Sequence, residues 1–141
     1  IAGDRALVEL LKYAASGFVY SVGISPVLAA ASLKALQIMR REPERVHTLQ
    51  ERGSQFLNSM RSMGINTGFA EGYAVIPAIT GSSLKAVKLS GQLFDAGLNV
   101  QPIIHPAVEE KAARLRFFLS STHSQDDIDL ACETVHTLMQ K

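Results

Sequence analysis

The segment Ala113-Arg114-Leu115-Arg116-Phe117-Phe118-Leu119-Ser120 changes character at every second residue. Successive side chains of a strand point to opposite faces, so Leu115, Phe117 and Leu119 share one side and Arg114, Arg116 and Phe118 the other. One face is apolar and takes helices. The other holds two arginines and has to meet water or a group supplied from elsewhere.

Two neighbouring stretches divide in the same way. Leu98 to Ile104 reads as a strand with Leu98, Val100 and Ile104 on one face and Asn99 and Gln101 on the opposite one. Tyr73 to Thr80 reads as a further strand, and Pro77 sends it to an edge because proline has no N–H for the ladder. Around these lie helical periods. Asp4 caps a first helix carrying Ala6, Leu7, Leu10, Leu11 and Ala14, closed by Gly17. Phe18 to Ser25 reads as extended or loop, and Pro26 opens a second helix that runs to about Arg41. Past Pro43, the residues Val46, Leu49, Gly53, Phe56, Leu57 and Met60 stripe a third helix with Gly64 at its end. A fourth spans Leu84 to Phe94 and closes at Gly97. A last one follows Ser124-Gln125-Asp126-Asp127, a capping box with Asp in place of Glu. The fold class expected is α/β (α+β): a two-layer small domain with helices packed on one face of a small mixed or antiparallel sheet.

Composition narrows the function. The 141 residues carry 14 Lys plus Arg against 13 Asp plus Glu, a net charge of +1. Nucleic-acid binders concentrate positive charge, so this balance argues against that class. Charged residues are 19%, below the usual ~25%, which points to surface reserved for an interface. With no Trp and 6% aromatics there is no stacking platform for bases. Cys132 is the single cysteine, which excludes an intrachain disulfide and a cysteine-built zinc site and suits a reducing, cytoplasmic setting. No apolar run approaches the ~20 residues of a membrane span. The sequence opens on Ile1 rather than Met, and we expect it to be one domain cut from a longer protein.

Arg116 is the residue of greatest chemical interest. A guanidinium among Leu and Phe is costly unless it is solvated or paired. Its planar fork suits a carboxylate, which it grips through two N–H groups. The alternative is a surface arginine paired with Glu109, Glu110 or water. Tyr20-Ser21-Val22-Gly23-Ile24-Ser25-Pro26 places hydroxyls and N–H groups before a helix, which serves either an anion or a plain helix start. His105 and Pro106 occupy a loop between strands and are candidates for a site rim. His47, His123 and His136 are scattered without ligand spacing, and no metal site is expected. Walker, G-x-S-x-G and G-x-G-x-x-G motifs are absent, so the chain lacks a catalytic set of its own.

Several short motifs nevertheless fall in one order. Ile1-Ala2-Gly3, Tyr20-Ser21-Val22-Gly23-Ile24-Ser25-Pro26, Ala74-Val75-Ile76-Pro77, Pro106, Ala113-Arg114-Leu115-Arg116 and Ser121-Thr122-His123 together resemble the C-terminal part of an α-oxoamine synthase. These are fold-type I enzymes that use pyridoxal 5′-phosphate (PLP). The resemblance implies an acyltransferase that joins a small amino acid to an acyl thioester, on coenzyme A or a carrier protein, with loss of carbon dioxide. It implies that Arg116 holds the amino-acid carboxylate and that Arg114 is structural. It implies that Ser21, Val22 and Gly23 approach the PLP phosphate of a neighbouring subunit in a homodimer. Val22 and Gly23 depart from the family's polar pair, which leaves Ser21 and backbone N–H groups for that contact. The Schiff-base lysine and the large PLP domain precede Ile1 in such enzymes. No catalytic residue is therefore expected in the chain, nor turnover or tight PLP binding by the chain alone. The small domain of a related PLP aminotransferase and a separate docking module without catalysis are the alternatives.

Overall fold

The computed structural model describes residues 2–140. Ile1, the first residue of the Ile1-Ala2-Gly3 motif, lies outside the described residues. The chain divides into two compact units, one up to Arg41 and one from Glu42.

The first unit holds α1 (Arg5–Ala14), α2 (Ser16–Val19) and α3 (Pro26–Arg41). The Asp4 carboxylate accepts the N–H groups of Ala6 and Leu7 at 2.9 and 3.4 Å, as an N-cap should. Ala15 is extended and breaks α1, yet its carbonyl accepts the N–H groups of Phe18 and Val19, both at 2.9 Å. A new helical turn therefore starts where extended chain is expected, and Gly17 lies inside it instead of closing α1. The Ser25 hydroxyl accepts the Leu28 N–H at 3.4 Å, and Pro26 begins α3 as expected. No residue of these three helices is buried. Leu7, Leu10, Tyr13, Phe18, Val22 and Leu28 are each half or more exposed.

The second unit runs α4 (Glu44–Ser62), β1 (Val75–Ile79), α5 (Ser83–Asp95), β2 (Gln101–Ile103), a 3-10 turn at Glu110–Ala112, β3 (Arg114–Phe118) and α6 (Gln125–Met139). The strand order is β1-β3-β2, with both outer strands antiparallel to β3. β1 and β2 thus run the same way, linked through α5, and β3 fills the gap between them. Pro77 sits on an edge strand, where its missing N–H costs no ladder bond. The outer side of that edge is partly covered, since Ile79 donates to the Asn66 carbonyl at 2.8 Å.

One sheet face is dry. Ile76, Ala78, Leu115 and Phe117 meet Phe56 and Met60 of α4, Leu89 and Leu93 of α5, and Ile128, Cys132 and Val135 of α6. The Phe56 and Phe117 rings are 5.1 Å apart at 44°, a tilted pair within the favourable range. This is the two-layer arrangement that the alternation of β3 implies, with an antiparallel sheet. Burial pushes the Cys132 thiol up to about 11, so it stays protonated and unreactive.

Strand lengths are shorter than the apolar alternation suggests. Leu98 donates to the Leu93 carbonyl at 2.8 Å, which closes α5 around Gly97 at φ 88°. The Val100 carbonyl takes the Ser90 hydroxyl at 2.6 Å, and the Ile104 carbonyl accepts Ala107 at 2.9 Å to begin a turn. Only Gln101 to Ile103 remain to pair with β3.

The capping box of α6 forms as its spacing implies. Ser124 donates its N–H to Asp127 Oδ2 at 2.8 Å, and Asp127 returns its N–H to Ser124 Oγ at 3.1 Å. The Ser124 backbone N–H, then its hydroxyl, holds the Asp127 carboxyl below its usual value. A depressed folded value means that this contribution is complete above the unfolded value, near ~3.9, and disappears as pH falls through the lower folded one. Asp127→Asn is therefore expected to flatten the loss of stability between about pH 5 and pH 3. Urea midpoints of both proteins across that range check it, and parallel curves contradict it.

Candidate functional site

The open face of the sheet carries the candidate site. Directly paired residues share a face, so the register lines up Pro77, Arg116 and Gln101 across the middle. Ile79, Arg114 and Ile103 form the next row, and Val75 lies opposite Phe118. Arg116 is exposed at the centre of this face. Among the described residues its guanidinium makes no hydrogen bond or ion pair, and its carbon lies 4.8 Å from the centroid of the Phe118 ring. Pro77 has no polar side-chain atom to offer it. Gln101 is turned toward Asn99, donating Nε2–H to Asn99 Oδ1 at 2.8 Å.

The two arginines therefore differ. Arg114 Nε donates to the Ala112 carbonyl at 2.7 Å and is half-buried, a structural tie between β3 and the preceding turn. Arg116 keeps its donors. Glu109 and Glu110, the expected neutralising partners, do not meet it among the described residues. Glu110 instead accepts the Ser83 N–H at 2.7 Å and the Ser83 hydroxyl, capping α5 from 27 residues away. The Ser83 hydroxyl, followed by its N–H, lowers the Glu110 carboxyl below its usual value.

His105 and Pro106 follow β2 and are exposed, with a cis peptide between them. The His105 N–H donates to Ser83 Oγ at 3.3 Å. Gln101 stands opposite Arg116 and Ile103 opposite Arg114, so the chain is already leaving Arg116 when it reaches His105. The fold thus gathers Arg116, Phe118, Pro77 and Gln101, and sets His105 beside the start of α5.

Ser21, Val22 and Gly23 belong to the first unit and are exposed. Ser21 donates its hydroxyl to the Phe18 carbonyl at 3.1 Å and its N–H to the same oxygen at 3.3 Å. Its hydroxyl proton is committed locally. Among the described residues, the N–H groups of Val22 and Gly23 have no acceptor. What this segment offers an anion is therefore backbone rather than hydroxyl.

Comparison with known proteins identifies the family of the chain. The sequence profile for aminotransferase class I and II matches residues 1–135. The chain belongs to that family. Among curated relatives, the 8-amino-7-oxononanoate synthase of Symbiobacterium thermophilum is 38% identical over 131 residues, covering 93% of this chain and 33% of that protein. The same enzyme from Chromohalobacter salexigens is 34% identical over 141 residues, 100% of this chain and 36% of that protein. The chain spans about a third of the length of these relatives. Of the solved structures, serine palmitoyltransferase from Sphingomonas wittichii superposes with a TM-score of 0.84 at 19% identity, over 99% of this chain and 35% of that one. The 8-amino-7-oxononanoate synthase of Francisella tularensis gives 0.79 at 20% identity, over 96% of this chain and 39% of that one. The α-oxoamine synthase type suggested by the motifs is thus the type of its relatives, and the aminotransferase class I and II fold is theirs as well. Among the described residues, no helix is long and apolar enough to cross a membrane.

Two features of the site escape a reading by motif. Phe118 beneath Arg116 is signalled only by the two-residue spacing that puts both on one strand face. The Glu110–Ser83 cap joins residues too far apart in sequence for any local pattern to announce it.

Proposed function

We propose that the chain is the C-terminal small domain of a PLP-dependent acyltransferase, one that condenses a small amino acid with an acyl thioester and releases carbon dioxide. The observation that carries this reading is Arg116, a guanidinium that has no ion-pair partner among the described residues and stands at the centre of an open sheet face. A fork with all its donors available suits a carboxylate, and the substrate of such an enzyme brings one. When bound, PLP supplies the electron sink for chemistry at the amino-acid α-carbon.

The chain's own residues bind and orient. Arg116 fixes the amino acid by its carboxylate, which sets the direction of its α-carbon bonds. The N–H groups of Val22 and Gly23, which have no acceptor among the described residues, fit, beside Ser21, the phosphate of a cofactor held by a neighbouring subunit, because an anion accepts well from unpaired backbone donors. His105 and Pro106, beyond the end of β2 and beside the start of α5, form at most the outer rim. The partners in this reading are the large PLP domain, a second subunit, an amino acid and an acyl thioester on coenzyme A or a carrier protein, in the cytoplasm. The exposed apolar side chains of the first unit support the protein partners, since lone domains seldom leave such a surface bare. The isolated chain is accordingly expected to self-associate or to bind a hydrophobic dye. A monomer that binds none, by size-exclusion chromatography and fluorescence, contradicts this.

The direct test is turnover by the full-length enzyme with a labelled amino acid and an acyl thioester. Thioester-dependent release of labelled carbon dioxide supports the acyltransferase. Amino transfer to a 2-oxo acid without such release replaces it with the aminotransferase reading.

A further inference from the structure

We propose that Phe118 is a positioning residue for Arg116, aiming its fork at the substrate carboxylate without occupying any of its donors. The inference rests on the carboxylate role given to Arg116 above. An arginine on an open strand face is a long, flexible side chain, and hydrogen bonds normally fix its head group. Among the described residues none does: Pro77 offers no acceptor side chain, Gln101 donates its Nε2–H to Asn99 and makes no hydrogen bond to Arg116, and Glu110 is engaged with Ser83. Among the described residues the head group meets the Phe118 ring, with the guanidinium carbon over it at 4.8 Å from the centroid. This lies within the ~6 Å of a cation–π contact. A ring face attracts the cation as a whole, whereas an acceptor would consume N–H groups that the carboxylate needs. Phe118 follows Arg116 by two residues on the same face and lies opposite Val75 in the register, so the strand places both side chains side by side.

Two measurements test the inference. In the chain itself, the Arg116 Nε–H resonance is expected to show a ring-current shift that is lost in Phe118→Leu and kept in Phe118→Tyr. An unshifted resonance in the unsubstituted chain overturns the contact. In the full-length enzyme, Phe118→Leu is expected to raise KM for the amino acid about two- to fivefold, the range of an exposed cation–π contact, while kcat changes by less. Phe118→Tyr, which keeps the ring, should restore KM. An unchanged KM in Phe118→Leu, with Arg116→Ala still severely impaired, overturns the positioning role alone. An Arg116→Ala enzyme with normal KM overturns the carboxylate reading on which it rests. Equal losses in Phe118→Leu and Phe118→Tyr, accompanied by a lower Tm, assign Phe118 to folding and also overturn the proposal.

Discussion

Arg116→Ala in the full-length enzyme is expected to lower kcat/KM for the amino acid by about 10²-fold or more. Hydrogen bonds to a charged partner are each worth ~1.5–3 kcal/mol, and a bidentate grip loses two of them. The sum, ~3–6 kcal/mol, corresponds to roughly 10²- to 10⁴-fold. Arg116→Lys should recover little, because an ammonium cannot present two parallel donors. Stability should hardly move, since the side chain is exposed and makes no hydrogen bond among the described residues. Arg114→Ala should do the reverse. It removes the 2.7 Å bond to the Ala112 carbonyl and costs stability before it costs KM. Steady-state kinetics and thermal melts of the three variants separate these outcomes, and an Arg116→Ala enzyme with unaltered kcat/KM removes Arg116 from the site.

Gly53→Ala is expected to be the most damaging single methyl group in the second unit. A Cβ at Gly53 would lie 2.0 Å from the Tyr73 carbonyl oxygen and 2.2 Å from that of Gly72. Both obstacles are backbone, so no side-chain rotation relieves the overlap. Either α4 withdraws from the sheet or the 72–73 segment lifts off the helix. The first loosens Phe56 and Met60, which are fully buried, and the second shifts the chain leading into β1. Overpacking usually costs ~1–3 kcal/mol, and with unyielding backbone on both sides the upper end, about 3 kcal/mol, is expected. Gly91→Ala is the control. Nothing lies within 4 Å of its added Cβ, and Ala in a helix interior gains ~0.5–1 kcal/mol over Gly. Opposite signs for the two substitutions in chemical denaturation confirm the account. Similar small effects would show that α4 and the 72–73 segment do not pack so closely.

Much of the fold is legible in local pattern. The alternation from Leu115 to Leu119 identifies both faces of β3, and the buried partners of Leu115 and Phe117 follow that division. The Asp4 cap and the Ser124–Asp127 box are readable because donor and acceptor lie within three residues. Pro77 on an edge follows from its missing N–H. Where one residue's backbone angle decides, the pattern misleads. Ala15 turning extended restarts a helix at Ser16, although Gly17 reads as a stop. Similarly, Leu98 carries the apolarity of a strand but is used to close α5.

The candidate site divides along the same line. Composition and alternation alone mark Arg116 as an arginine on a polar sheet face with carboxylate chemistry, and they leave Glu109, Glu110 and solvent as rivals for it. Only Glu110 is taken away by a contact across a long stretch of chain, to Ser83, while the remaining contacts are local: Arg114 turns to Ala112, Gln101 turns to Asn99, and the exposed Arg116 lies over Phe118. The sequence by itself therefore determined the helices other than α2, the faces of β3, the local caps at Asp4 and Ser124, and the candidate arginine. Each of these depends on residues a few positions apart, whose geometry the backbone period dictates. That Glu110 is spent on Ser83, and why position 53 has no room for a methyl group, only the tertiary structure decided. Those outcomes depend on which surfaces packing brings together, and chain spacing does not encode the distance between residues remote in sequence.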